Sequence, residues 1–271
     1  MRKKICLTIL FILFGSLAFA DAPKRIVSLK PNITSIIYAL GAEDRLVGVT
    51  TFCDRPEAAK KLPKVADYTK PFLERLIAAK PDLVIGSKEQ SSKRAYGSIE
   101  SLGVHVGLFD FGNLDQTLSS IEKIAGLIGE KKKGKSIVEG MTRSFDKIRA
   151  RYKGSEKKKV LIVWGYRPLV IAGRGNFMDE ILAMLDAVNV GAKSGSAYPH
   201  WSIEEVITAD PDVIIDLSRG MGGEGSYDWK SLNVISAVKS NRVFNLDASD
   251  FQMSPNITGS VERLGKLIHG E

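Results

Sequence analysis

The stretch "LERLIAAKPDLVI" (73–85) recurs 130 positions later as "IEEVITADPDVII" (203–215). In register the copies share Glu74/Glu204, Ile77/Ile207, Ala79/Ala209, Pro81/Pro211, Asp82/Asp212 and Ile85/Ile215, and most other pairs swap one apolar residue for another. In each copy a helical spacing is cut by a proline, which cannot continue a helix. The apolar run that follows fits a strand buried on both faces. The echo extends further: "KRIVSL" (24–29) is matched by "KKVLIVWG" (158–165), and "TLSSIEKIAGLIG" (117–129) by "TGSVERLGKLIHG" (258–270). Repetition on this scale implies two structurally similar units. Between them, in "KSIVEGMTRSFDKIRARYK" (135–153), Ile137, Met141, Phe145 or Ile148, and Tyr152 recur every three to four residues, which predicts one long amphipathic helix.

The remaining pattern fills in both units. Strands are expected at 25–29, 46–52, 82–87 and 105–111, alternating with helices at 32–42, 71–80, 91–103 and 114–129. The second unit offers strands at 158–165, 212–218 and 242–247, with helices at 177–188, 202–210 and 258–270. Alternation of this kind implies parallel strands covered on both faces. The expected fold is therefore α/β: two similar lobes with central, mostly parallel sheets, bridged by one long helix, with a ligand cleft between the lobes. The boundaries read as 21–129 for the N-terminal lobe, 130–156 for the linking helix and 157–271 for the C-terminal lobe.

Residues 1–20 differ in kind. A basic "MRKK" start, the apolar run "ICLTILFILFGSLAF" and a small-residue "AFA" ending at Ala20 fit a cleaved secretory signal peptide. The run is short for a membrane span, which needs about 20 residues. No Cys follows the cleavage site, which argues against a lipid anchor. The leader carries three basic and no acidic residues, so its removal lowers the net charge from +8 to +5. The lysines gather at 131–135 and 153–159, without interleaved aromatics, which excludes a nucleic-acid binder. Cys53 alone remains after the leader, leaving no partner for an intrachain disulfide, and a small buried residue is its expected role.

Catalytic signatures are missing. No Gly-x-Ser-x-Gly elbow accompanies the serines of "GSKEQ" or "KSGSAY". "GRGN" (173–176) lacks the third glycine of a phosphate-binding loop and reads as a loop leading into a helix capped by Asn176. His105, His200 and His269 stand in dispersed contexts, so no metal site is expected. Ser202 and Glu205 fit a capping box. Glu204, and Glu74 at the equivalent place in the first unit, favour the positive end of a helix. A pair of acids at equivalent tips would also make a two-point dock for a basic partner.

Together, "RIVSLKPNITSIIYALGAEDRLVGVTTFCDRPEAAKKLPKV", "LERLIAAKPDLVI", "IAGRGNFMDEIL" and "YPHWSIEEVITADPDVII" resemble the periplasmic vitamin B12-binding proteins, helix-bridged substrate-binding proteins of ABC importers. The resemblance implies a periplasmic, non-catalytic receptor, monomeric when free. It would hold cobalamin, which carries its own cobalt, between its lobes and pass it to a permease dimer with ATPase subunits; no separate cofactor is expected. It assigns permease docking to Glu74 and Glu204. Carried over by motif, it places ligand contacts at Phe52, Tyr68, Trp164, Tyr166, Tyr198, Asp250 and Phe251. Aromatics suit a large corrin, supplying apolar area with few rotors to freeze, while a few polar groups fix its orientation. Asn256 stands where the family often has Arg, and the Gly-rich 218–229 loop has no clear counterpart.

Haem or a ferric siderophore is the rival ligand in the same fold. Tyr68 could serve as an axial ligand to haem iron, although the "GY" dipeptide usual in haem receptors is replaced by "ADY". Arg167 and Arg174 are the candidate contacts for a siderophore.

Overall fold

The computed structural model describes residues 22–67, 70–88, 93–218 and 227–271. The segment expected to be a leader, Tyr68 and most of the Gly-rich loop lie outside the described residues. In chain order the first lobe runs β1 (Ile26–Ser28), α1 (Pro31–Ala39), β2 (Leu46–Thr50), β3 (Lys64–Ala66), α2 (Leu73–Ala78), β4 (Leu83–Ser87), α3 (Lys93–Glu100), β5 (His105–Phe109) and α4 (Leu114–Leu127). Helix α5 (Lys131–Tyr152) follows. The second lobe runs β6 (Lys159–Tyr166), β7 (Leu169–Ile171), α6 (Phe177–Met184), β8 (Val188–Asn189), α7 (Ile203–Ala209), β9 (Val213–Asp216), α8 (Ser236–Lys239), β10 (Val243–Asn245) and α9 (Ile257–His269).

Two sheets result. The first has the order β3-β2-β1-β4-β5, parallel throughout. The second has the order β10-β9-β6-β7, with β8 also on β6; only the β6–β7 pair is antiparallel. The trio β1-β4-β5 thus corresponds to β6-β9-β10. The lobes differ on the other side of the first strand, where β2 is replaced by the antiparallel β7. Strands β3, β7 and β8 hold only 3, 3 and 2 residues. They are too short to register as periodicity, and the sequence pattern does not show them.

The repeated stretch builds one corner twice. Lys80 and Asp210, the residues before the two prolines, both adopt left-handed backbone, with φ of 45° and 43°. Asp82 accepts the amides of Lys24 and Arg25 at 2.8 and 3.0 Å, and Asp212 accepts that of Lys159 at 2.7 Å. Arg25 in turn donates to the carbonyls of Ala79 and Lys80, and Lys159 to that of Ala209. Each lobe therefore ties its first strand to the end of this helix through one acid and one base. The C-terminal carbonyls of the helix, which have no partner within it, are satisfied by the cation.

Helix α5 rises for roughly 33 Å at 1.5 Å per residue and buries Gly134, Met141, Phe145, Ile148 and Tyr152. These side chains belong to one apolar core that includes Ile121, Ile124 and Ile128 of the first lobe and Ile181, Leu185, Val261 and Leu264 of the second. A Cβ on Gly134 would stand 2.3 Å from that of Ala125, and one on Gly265 would stand 2.4 Å from the Tyr152 ring. Helices α4 and α9 can approach α5 this closely only through glycine. The echoing helices α4 and α9 thus brace α5 from either lobe, and the junction is a packed core rather than a free linker.

Candidate functional site

Parallel strands place their carboxyl ends along one edge of each sheet, and ligands of open α/β folds bind beyond that edge. In the first lobe the edge carries the loops after β1, β2, β3, β4 and β5. In the second it carries the end of β6 and the loops after β9 and β10. Phe52, just beyond β2, is 52% exposed, and Tyr198, in the loop before α7, is 53% exposed. Each lobe thus presents a half-exposed aromatic ring. Exposure on this scale costs solvation free energy, which a ligand covering the ring recovers.

The other expected contacts divide. Trp164 is 9% exposed and packs against Phe177 and Tyr198, with ring centroids 5.8 and 6.5 Å away. Its indole Nε1 is buried without a hydrogen-bond partner. Tyr166 goes elsewhere. A register shift between Val163 and Gly165 marks a bulge in β6, which cancels the two-residue alternation that would put Trp164 and Tyr166 on one face. Trp164 joins the main core, whereas Tyr166 packs beside Leu161 and Val163 in a second cluster and lies under the Arg167 guanidinium at 5.4 Å.

Phe251, expected in a cleft loop, is instead a core side chain, 1% exposed at the end of a 3-10 turn, Ala248–Phe251. Asp250 is only part-exposed, and arginines engage both its carboxylate oxygens: Arg55 Nη1 on Oδ1 and Arg263 Nη2 on Oδ2, each at 2.5 Å. Arg55 also reaches Asp247 Oδ2 at 2.9 Å. Sequence reading passed over Arg55, Asp247 and Arg263, since their partners lie far away along the chain. In the first lobe, Lys88 and Asp110 pair at 2.8 Å in the loops after β4 and β5.

Glu74 and Glu204 are exposed in the first turns of α2 and α7. Both helices start at the strand-carboxyl edge of their lobes. The capping box is present in the second lobe, where Ser202 accepts from the Glu205 amide and Glu205 from the Ser202 amide. Phe72 caps nothing in the first. Hydrogen bonds from its own amide and from Ser202 hold the Glu204 carboxyl below the ordinary range. Exposed apolar side chains flank each acid, Leu73 and Ile77 on α2 and Ile207 on α7.

Cys53 is fully buried and receives the Thr34 hydroxyl at 3.1 Å, as suits a structural residue. Asn176 caps α6 by accepting the Met178 amide. Among the described residues, no three His, Cys, Asp or Glu side chains gather as metal ligands, and no helix is long and apolar enough to cross a membrane.

Two α/β lobes braced on one helix, each with a half-exposed aromatic ring near its strand-carboxyl edge, make up the fold. The chain belongs to the periplasmic binding protein family, which residues 26–249 match. This is a family of substrate-binding proteins, not enzymes. A vitamin B12-binding protein of Vibrio parahaemolyticus is 31% identical over 250 residues, covering 92% of this chain and 90% of the relative. The crystal structure of the periplasmic vitamin B12-binding protein BtuF of Vibrio cholerae superposes with a TM-score of 0.80 at 25% identity, covering 92% of this chain and 97% of that one. The periplasmic haem-binding protein RhuT of Roseiflexus sp. RS-1 superposes with a TM-score of 0.82 at 26% identity, covering 91% and 98%.

Proposed function

We propose that this protein is exported by its cleaved leader, captures cobalamin in the cleft between its lobes, and delivers it to an inner-membrane ABC transporter. The observation that carries the reading is the 31% identity to a vitamin B12-binding protein along nine-tenths of both chains. The site is consistent with it. Phe52 and Tyr198 supply half-exposed rings from different lobes, suited to covering a large flat ligand. Glu74 and Glu204, anionic and flanked by apolar side chains, would be the two feet on the permease, paired with basic residues there.

Haem or a ferric siderophore is the second reading, supported by the haem-binding protein of equal structural likeness. Calorimetry of the purified, leaderless chain with cyanocobalamin, haemin and a ferric siderophore separates them. Stoichiometric cobalamin binding, with a red protein peak after gel filtration, is expected. Haemin binding with a Soret shift, in the absence of cobalamin binding, would replace the proposal with the alternative.

A further inference from the structure

We propose that Arg55 is a latch across the cleft, and that its ion pairs to Asp247 and Asp250 restrain the lobes from opening. The proposal rests on the binding-protein reading only in giving the cleft a ligand to admit. Arg55 lies in the loop after β2, three residues beyond the exposed ring of Phe52. Its two terminal nitrogens hold two separate carboxylates of the loop after β10, Asp250 at 2.5 Å and Asp247 at 2.9 Å, across 195 and 192 positions of sequence.

The receiving side is built in advance. Asp250 is fixed by Arg263 of α9 at 2.5 Å, and the Asp250 carbonyl accepts the Ser260 hydroxyl at 2.5 Å. Asp247 Oδ1 accepts the Ser249 amide at 2.9 Å. The two carboxylates are therefore positioned by the second lobe alone, and Arg55 is the group that arrives from the first. A forked guanidinium suits such a double acceptor, whereas a lysine would satisfy one at a time.

Other polar contacts also join the lobes. Asn32 Nδ2 donates to the Met253 carbonyl at 3.4 Å, and the Leu114 amide donates to Glu180 Oε2 at 2.9 Å. Those contacts are more buried and belong to the packed seam around α1, α4 and α6. The Arg55 and Asp247 side chains are each 48% exposed, and the less exposed Asp250 keeps its Arg263 partner, so the pairs can part without stranding a buried charge. An exposed pair is weak alone and is screened by salt, which is what a reversible latch requires.

Double electron–electron resonance reads the opening directly. Nitroxides on Ser101→Cys and Ser240→Cys, exposed positions at the lobe ends away from the cleft, report the interlobe distance of the ligand-free protein. At 50 mM NaCl the parent should give a narrow distribution, broadening toward longer or shorter distances at 1 M, where the screening length falls to about 3 Å. Arg55→Ala should be broad at both salts, with Arg55→Lys between. Stopped-flow binding of cyanocobalamin should then show association and dissociation both faster, several-fold, in Arg55→Ala. Distributions of Arg55→Ala that superpose on the parent at both salts would overturn the latch. A salt- and Arg55-dependent distribution in a protein that takes up no cobalamin would leave the latch standing and remove the cobalamin reading alone.

Discussion

Replacing Phe145 of α5 by alanine tests whether the two lobes share one core. Phe145 is buried within the apolar cluster that runs from Ile121 and Ile124 through Met141 and Ile148 to Leu185 and Leu264. Truncating a buried phenylalanine costs about 3–5 kcal/mol, combining lost transfer free energy with a cavity that neighbours fill incompletely. With a urea slope of about 3 kcal/mol/M for a chain of this size, the midpoint should fall by about 1–1.7 M. The tryptophans give the assay its resolution. Trp164, Trp201 and Trp229 all lie in the second lobe, so indole fluorescence reports that lobe, while far-UV circular dichroism reports both. A shared core predicts coincident transitions in the parent and an equal displacement of both signals in Phe145→Ala. A dichroism transition that moves while fluorescence stays in place would show that α5 is packed on the first lobe alone, and the argument for a stiff junction would fail.

Truncating the open rings, Phe52→Ala and Tyr198→Ala, should weaken cobalamin binding by about tenfold to a hundredfold each, as expected when a ligand no longer covers a large apolar group. Calorimetry gives the affinity, and an unchanged melting temperature shows that the loss is local. The double variant Glu74→Ala with Glu204→Ala should keep ligand affinity and abolish transporter-dependent uptake; loss of affinity instead would put these acids in the cleft. Asp210 accepts the amide and hydroxyl of Ser236 at 2.7 and 2.9 Å, and the amide bond above all holds its carboxyl below the usual range. Its folded pKa is thus lower than the unfolded value near 3.9, so its contribution is complete above about pH 4 and disappears as pH falls through the folded value. Asp210→Asn should cost about 1 kcal/mol at pH 7, given its solvent contact, and the two urea curves should converge below about pH 3.

The lobes, the bridging helix and the repeated corner were legible because each rests on local periodicity. Prolines at 81 and 211, helical spacing along α5 and the Ser202–Glu205 box speak for themselves within a window of a dozen residues. The burial of the expected aromatic contacts was less legible than the fold. Phe52 and Tyr198 fall in loops and are about half exposed. Trp164 and Tyr166 were placed by the resemblance alone, and a register shift at residues 163–165 puts them in different apolar clusters. Phe251 follows a polar "DASD" run that suggests a surface loop, yet the 3-10 turn rotates its ring into the core. Arg55 could not be found at all: "CDRPE" carries no period, and both its carboxylates lie in the other lobe.

The repeat also explains why the acidic tips survive in pairs while the capping chemistry around them does not. Lys80 and Asp210 turn the chain with the same backbone, Asp82 and Asp212 accept the same strand amides, and Arg25 and Lys159 cover the same helix end. These contacts fix where α2 and α7 end, and hence where their first turns stand on each lobe. Once the C-terminal end is pinned by an acid and a base, the start of the helix need not be stabilised identically: Ser202 caps α7, whereas Phe72 lies under the Arg75 guanidinium at 5.1 Å and caps nothing. Glu204 takes hydrogen bonds at the start of α7, whereas Glu74 stands in the first turn of a helix whose N-cap side chain makes no cap hydrogen bond. Their equivalent positions on the two lobes are what the proposed two-point docking would use. The double glutamate variant therefore probes more than one docking contact, because the spacing between the two acids is set by the α5 junction that Phe145→Ala would loosen.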